Sequence, residues 1–135
     1  VVFVILNLKD GMGKTISHNA YWLSKDNDYK TMNTMAETAV SVNVLKEENG
    51  KHDRKWVLQV TNSSDKIAFF IRPQVMAGGE EILPSFWSES YFTLAPTETT
   101  TITVTCPLVK LLGRTPVLKV SGWNVTTKEI SLKKN

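Results

Sequence analysis

The sequence predicts an all-β fold, two antiparallel sheets closed into a sandwich or barrel. Short runs of β-branched and aromatic residues recur every 8–15 residues or so, separated by turn residues. Within the runs, apolar and polar side chains alternate with the period of a strand, as in "TITVTC" (residues 101–106). No window of about eleven residues holds apolar side chains at helical spacing. The count comes to about eight or nine strands.

The elements follow in order. "VVFVILNL" reads as a strand and "DGMG" as a turn. "KTISHNAYWLS" is the returning strand, with Ile16, His18, Ala20 and Trp22 on one face. "KDNDYKTMN" is polar and reads as a loop. "ETAVSVNVLKE" sets Thr38, Val40, Val42 and Val44 on one face, and Asn49-Gly50 then signals a hairpin. "KWVLQVTNS" alternates Trp56, Leu58 and Val60 toward the core. "IAFFIRPQV" is a strand that Pro73 weakens at its far end. "AGGEEILPSFWSES" reads as irregular. "YFTLAPTETTTITVTCP" gives a short strand, a proline turn and a second strand, and "VLKVSGWNV" and "KEISLKK" close the chain. The best helical candidates, "TMNTMAET" and "PLVKLLG", hold two turns at most.

The 135 residues suit one domain, 1–135, with enough apolar residues (41%) for a core that needs no disulfide or metal. The net charge is +3, and the lysines are scattered rather than striped among aromatics, so no nucleic-acid partner is expected. The longest opening apolar run is "VVFVIL", far short of the roughly 20 residues of a membrane span, so no membrane partner is expected. The chain opens on Val1 with neither an initiator methionine nor a signal peptide, which leads us to expect a domain cut from something longer.

Gly13-Lys14-Thr15 raises the question of a phosphate-binding loop. That loop needs G-x-x-x-x-G-K-[ST] between a strand and a helix. Leu8 stands where the first glycine belongs, and a strand follows, so no helix N-terminus would face a phosphate. No nucleotide partner is expected; Gly11 and Gly13 fit a hairpin tip. Cys106 shares the alternation of Ile102 and Val104 and reads as a small buried residue rather than a nucleophile. His18 and His52 lack metal-ligand spacing. Glu80-Glu81 reads as solvated loop charge rather than a glycosidase carboxylate pair. Asn62-Ser63-Ser64 and Asn124-Val125-Thr126 match the glycosylation sequon. Of the four tryptophans, Trp56 is assigned to the core, Trp22 and Trp123 lie near strand ends and fit either core or surface, and Trp87 is the one most expected to be partly exposed, although packing is the expectation for each taken singly.

"SFWSESYFTLAPTETTTITVTCP" followed by "PVLKVSGWNV" resembles the C-terminal immunoglobulin-like domain of family 2 glycoside hydrolases, in the exo-β-D-glucosaminidase and β-mannosidase branch. The pattern W-S-D-N-Y-F-x-L-x-P-G-E of that family is matched at Trp87, Ser88, Tyr91, Phe92, Leu94, Pro96 and Glu98. The closing G-W/Y-N is matched at Gly122, Trp123 and Asn124. "NAYWLS" and "WVLQVTNSSDKIAFFIRPQV" resemble earlier segments of the same domains, so the likeness covers most of the chain. Glu89-Ser90 stands in place of Asp-Asn, and Thr97 in place of the turn glycine, which predicts a type I turn there.

The resemblance implies an immunoglobulin-like β-sandwich of two antiparallel sheets. In such enzymes the catalytic glutamates lie in a separate (β/α)8 barrel, which this chain lacks the length and strand–helix alternation to form. No catalytic residue, metal or cofactor is therefore expected. The implied role is an accessory domain whose partners are the other domains of its parent, with a periplasmic or extracellular location in a bacterium. A carbohydrate-binding module is the first alternative, with a glycan stacked on Trp87, Tyr91 or Trp123. The second is an adhesion or chaperone-like sandwich that binds protein at an edge strand such as "VVFVILNL".

Overall fold

The computed structural model describes residues 1–133. It bears out the all-β prediction: eleven strands, one short α-helix and two 3-10 helices among the described residues. The chain forms two compact units, Val1–Ala36 and the remainder from Glu37 onward.

The first unit is built on an antiparallel hairpin of β1 (Val2–Lys9) and β2 (Thr15–Leu23). Phe3 pairs with Trp22, Ile5 with Ala20 and Asn7 with His18 on one face. Val2, Val4 and Leu6 pair with Leu23, Tyr21 and Asn19 on the other. Asp10 organises the tip: its carboxylate accepts from the amides of Met12 and Lys14, both at 2.9 Å, and its carbonyl accepts from Gly13, at φ 82°. Gly13-Lys14-Thr15 is thus the end of a hairpin, and β2 stands where a phosphate loop would need a helix. The polar segment beyond it winds into 3-10 helices at Lys25–Asn27 and Lys30–Thr34.

The second unit holds two sheets. One comprises β3 (Val40–Asn49), β4 (Asp53–Asn62), β7 (Phe86–Trp87) and β9 (Thr99–Pro107), in the order β3-β4-β9-β7. The other comprises β5 (Ala68–Ala77), β6 (Glu80–Glu81), β8 (Phe92–Leu94), β10 (Val117–Ser121) and β11 (Lys128–Ser131). Its order is β11-β10-β5-β6, with β8 also on β5. Every ladder is antiparallel. Trp56, Leu58, Val60, Ile102, Val104 and Cys106 of the first sheet share one buried cluster with Ile71, Val75, Leu94, Leu118 and Val120 of the second. Burial of each such Val, Leu or Ile contributes about 1.5–3 kcal/mol, and the cluster bears out the alternation read for β4 and β9.

Several elements differ from expectation. β5 runs past Pro73 to Ala77 because β8 pairs at Ala68 and Ile71 and β6 at Met76 and Ala77, leaving no strand on that side opposite the proline. The segment read as irregular supplies both β6 and β7. Gly78 and Gly79, at φ 61° and 83°, close a two-residue hairpin whose twist needs positive φ at both positions. Glu81 is accordingly bound rather than solvated, as described below. "PLVKLLG" yields one helical turn, α1 (Leu108–Leu111), ended by positive φ at Leu112 and Gly113. Thr97 holds φ 63° in the turn Ala95–Glu98, so the type I expectation fails and a type II turn stands there despite the missing glycine. Of "KEISLKK", Lys134 lies outside the described residues.

Both sequon asparagines are buried fastenings. The Asn62 carboxamide nitrogen donates to the carbonyls of Lys66 (2.7 Å), Ala95 (3.0 Å) and Leu94 (3.2 Å), while its oxygen accepts from the amide and hydroxyl of Ser64. The Asn124 oxygen accepts from the Phe69 amide at 2.9 Å and its nitrogen donates to the Ile67 carbonyl at 2.8 Å.

Candidate functional site

Two of the exposed aromatic residues, Tyr91 and Trp123, are tied to β5 of the five-stranded sheet. A bulge in β5 between Ala68 and Ile71 puts Phe70 at φ 58°, and Phe70 falls in the outward phase of the strand with Arg72 and Gln74, opposite to Ile71 and Val75. Tyr91, also at positive φ (56°), enters β8 beside it, and the two rings meet at 5.4 Å. The Arg72 guanidinium lies 5.8 Å from the Tyr91 ring centre. Arg72 and Gln74 both donate to one oxygen of Glu81, at 3.1 and 2.8 Å. Tyr91 is 50% exposed and Trp123 55%. The Trp123 amide donates to the Phe69 carbonyl, so Trp123 and Tyr91 are both anchored to the Phe69–Phe70 bulge.

Trp87 is elsewhere. It pairs with Val104 at the β7 edge of the other sheet, half-buried against the core, while its neighbour Phe86 is 62% exposed. The three aromatic candidates therefore form no common platform: two lie together and one apart. Phe70, Arg72, Gln74 and Glu81 complete the patch. The first three are readable as the outward phase of β5. Glu81 is not, because it reaches the patch through a two-residue strand.

Burial raises the Cys106 thiol above its usual range, with a weaker opposing effect from the Ser85 hydroxyl 3.4 Å away. Among the described residues no group of three His, Cys, Asp or Glu side chains is placed to hold a metal, and no helix is long and apolar enough to cross a membrane.

The family model for the exo-beta-D-glucosaminidase Ig-fold domain matches residues 19–125. The chain belongs to that family. The exo-beta-D-glucosaminidase of Arthroderma benhamiae is 33% identical over 96% of this chain, and that of Amycolatopsis orientalis 29% over 91%. The crystal structure of the Amycolatopsis orientalis exo-chitosanase CsxA superposes with a TM-score of 0.86 at 26% identity, over 96% of this chain and 18% of that one. The chain spans only 16% and 14% of the two curated relatives.

Within this Ig-fold domain the motif residues work as fastenings. The Ser88 amide donates to the Thr103 carbonyl and the Ser88 hydroxyl accepts from the Thr103 amide, which ties the β7 end to β9. The Glu98 carboxylate accepts from the Ala95 amide at 2.7 Å and closes the proline turn. Phe92 and Leu94 are buried. Gly122 is required by space, since a Cβ there would lie 3.0 Å from the Phe69 carbonyl oxygen and 2.8 Å from a Val125 methyl.

The hairpin presents a second feature. Val2, Leu6, Leu8, Tyr21 and Leu23, all on one of its faces, are all at least half exposed. Ordinary surfaces scatter such residues singly; a continuous row marks a place of contact.

Proposed function

We propose that the chain is a non-catalytic accessory domain of a family 2 glycoside hydrolase acting on β-linked glycans, of the exo-β-glucosaminidase type rather than the β-mannosidase type. Its partners are the other domains of the same polypeptide, against which it packs. The observation that carries this reading is the exposed apolar row of the β1–β2 hairpin. A two-stranded hairpin with an apolar face is marginal in water until something covers it. The small share of each curated relative that the chain spans, and their shared name, support the choice of parent. A periplasmic or extracellular parent accords with a polymeric glycan substrate.

The test is made in the full-length enzyme. Leu6→Ser with Leu8→Ser removes apolar area that docking would bury, worth about 1.5–3 kcal/mol for each side chain. The expected result is a lower Tm and new limited-proteolysis cleavage around this domain. An unchanged Tm and cleavage pattern would refute the docking role.

A second reading, glycan contact, is favoured by the exposed Tyr91 and Trp123 beside Arg72, Gln74 and Glu81. Trp87 suits it less because it packs on the core. Titration with chitosan, mannan and xylan oligosaccharides decides it. Saturable binding by the 135-residue chain, lost in Tyr91→Ala or Trp123→Ala, supports the reading, and silence through the millimolar range excludes it.

A further inference from the structure

A cavity of about 580 Å3 opens at one end of the sandwich. Its floor is apolar, from Leu108, Leu111 and Leu132, with Pro116 and Thr115 alongside. Its volume falls within the roughly 300–1,000 Å3 of small-ligand sites. Two charged residues reach it from positions that alternation reserves for the core. Arg54 is in phase with Trp56 and Leu58 on β4, and the register places it directly beside Cys106. Glu47 is opposite Trp56 on β3, because the bulge at Leu45 shifts the phase of every residue beyond it.

The two arginines at the cavity differ in one respect. Arg114 is well engaged: its Nη1 donates to the Ala77 carbonyl at 3.0 Å and to the Glu80 carboxylate at 3.4 Å, and its Nη2 and Nε donate to the carbonyls of Lys110 and Leu111, both at 3.3 Å. Arg54 makes no hydrogen bond among the described residues. Its Nε is buried, and the Glu47 carboxylate stands 3.6 Å away, too far for a hydrogen bond. The guanidinium lies over the Trp56 ring, 5.8 Å from its centre, and the side chain is 30% exposed. A guanidinium carries five donors, and one that is mostly buried with a single carboxylate at 3.6 Å has donors to spare for a further acceptor.

The charge around the cavity decides which group. Among the described residues, Arg54, Arg114 and Lys133 stand against two carboxylates, Glu47 in the lining and Glu80, which pairs with Arg114 at 3.4 Å, so the balance stays positive, an ammonium ligand is disfavoured and an oxyanion favoured. A planar carboxylate matches the guanidinium fork bidentately, and Glu47 makes no hydrogen bond to it. We propose that this cavity binds a small carboxylate ligand with a body about the size of one sugar ring, its carboxylate held by Arg54 and its body lying on Leu111 and Pro116. The site is lined by residues of the second unit alone and shares none with the hairpin row or the Tyr91 patch, so its fate does not depend on the function proposed above.

The probe is glucuronate, with glucose as the neutral and glucosamine as the cationic counterpart, titrated into the 135-residue chain by calorimetry. The Trp56 indole N–H resonance serves as a local reporter. Glucuronate is expected to saturate and to shift that resonance, while glucose and glucosamine do neither. Arg54→Leu is expected to weaken glucuronate binding about tenfold or more, the loss of a charge-assisted hydrogen bond. Glu47→Gln, which removes the competing negative charge at a part-exposed position, is expected to tighten it. This second variant keeps the test sharp if Arg54→Leu misfolds. The absence of saturation through the millimolar range, tighter binding of glucosamine than glucuronate, or weaker glucuronate binding in Glu47→Gln would each overturn the proposal.

Discussion

Replacement of Asn62 by alanine tests whether a single buried carboxamide holds one end of the sandwich. The side chain is wholly buried and joins three segments: its own strand end, the loop at Ser64–Lys66 and the β8 exit at Leu94–Ala95. Its two N–H groups serve three carbonyls, so one proton is shared, and its oxygen serves the amide and hydroxyl of Ser64. Asn62→Ala therefore orphans two or three backbone groups, each costing about 1–3 kcal/mol when left without a partner. Water can reach the loop side at Lys66, which is exposed, so the lower half of the sum applies, about 3 kcal/mol. Against a typical total of roughly 5–15 kcal/mol that is a large fraction. The assay is urea denaturation followed by the fluorescence of Trp56, with the midpoint moving and the slope unchanged. Asn62→Asp keeps the shape and the Ser64 bonds but turns a negative oxygen toward three carbonyls, so at neutral pH it should be no more stable than the alanine variant. A loss below about 1 kcal/mol in Asn62→Ala would refute the reasoning, because the three segments would then be held by something else.

Three further outcomes are expected. Gly122→Ala should cost about 1–3 kcal/mol by urea denaturation, because the new methyl group meets the Phe69 carbonyl oxygen, which is backbone and cannot swing aside. The buried Cys106 thiol, its pKa raised by desolvation, should react with a disulfide reagent only as the chain unfolds; because the folded state favours the neutral thiol, its contribution to stability is complete below the unfolded thiol value and is lost as pH rises through the folded one, a slope that Cys106→Ala should remove. Thr97→Gly should stabilise the domain by about 0.5–2 kcal/mol, since a β-branched residue at φ 63° is strained by about 1–3 kcal/mol and glycine returns part of that gain as chain entropy; a destabilised variant would show that Thr97 makes compensating contacts.

Local pattern carried most of the second unit's core. Trp56, Leu58, Val60, Ile102, Val104 and Cys106 are buried because strict alternation admits one buried phase, and the sequence shows that phase plainly. The hairpin of the first unit was legible for the same reason, together with the Asp-Gly and Gly signals at its tip. What escaped was whatever depends on a partner distant in sequence. β6 and β7 are two residues each and carry no period of their own; they are strands because Val75–Ala77 and Val104–Thr105 lie ready to pair with them. Pro73 argued against a strand on local grounds and was overruled by a gap between two neighbours. The Tyr91 patch was half legible, since Tyr91 and Trp123 carry exposure-compatible contexts and Phe70 shares the outward phase of β5, whereas the bulge between Ala68 and Ile71 has no mark in the sequence.

The bulge at Leu45 shows how much one unpaired residue can decide. Up to Val44, β3 presents Val40, Val42 and Val44 inward, as the alternation predicts. Continued without interruption, that phase would send Lys46 and Glu48 toward the core and Glu47 to solvent. The extra residue reverses the assignment. Lys46 and Glu48 now lie on the outer face and bond to each other at 2.5 Å, which holds the Glu48 carboxyl below its usual range, while Glu47 turns in toward Arg54. β3 is an edge strand, and a bulge with charged neighbours is how an edge is kept from pairing with another chain. That weighs against protein capture by strand addition along β3. The same shift brings a carboxylate to the cavity beside a guanidinium that lacks hydrogen-bonding partners among the described residues. Protection of the edge and the charge of the cavity thus have a common cause, and a variant that deletes Leu45 would exchange the two faces of the strand beyond it and disturb both together.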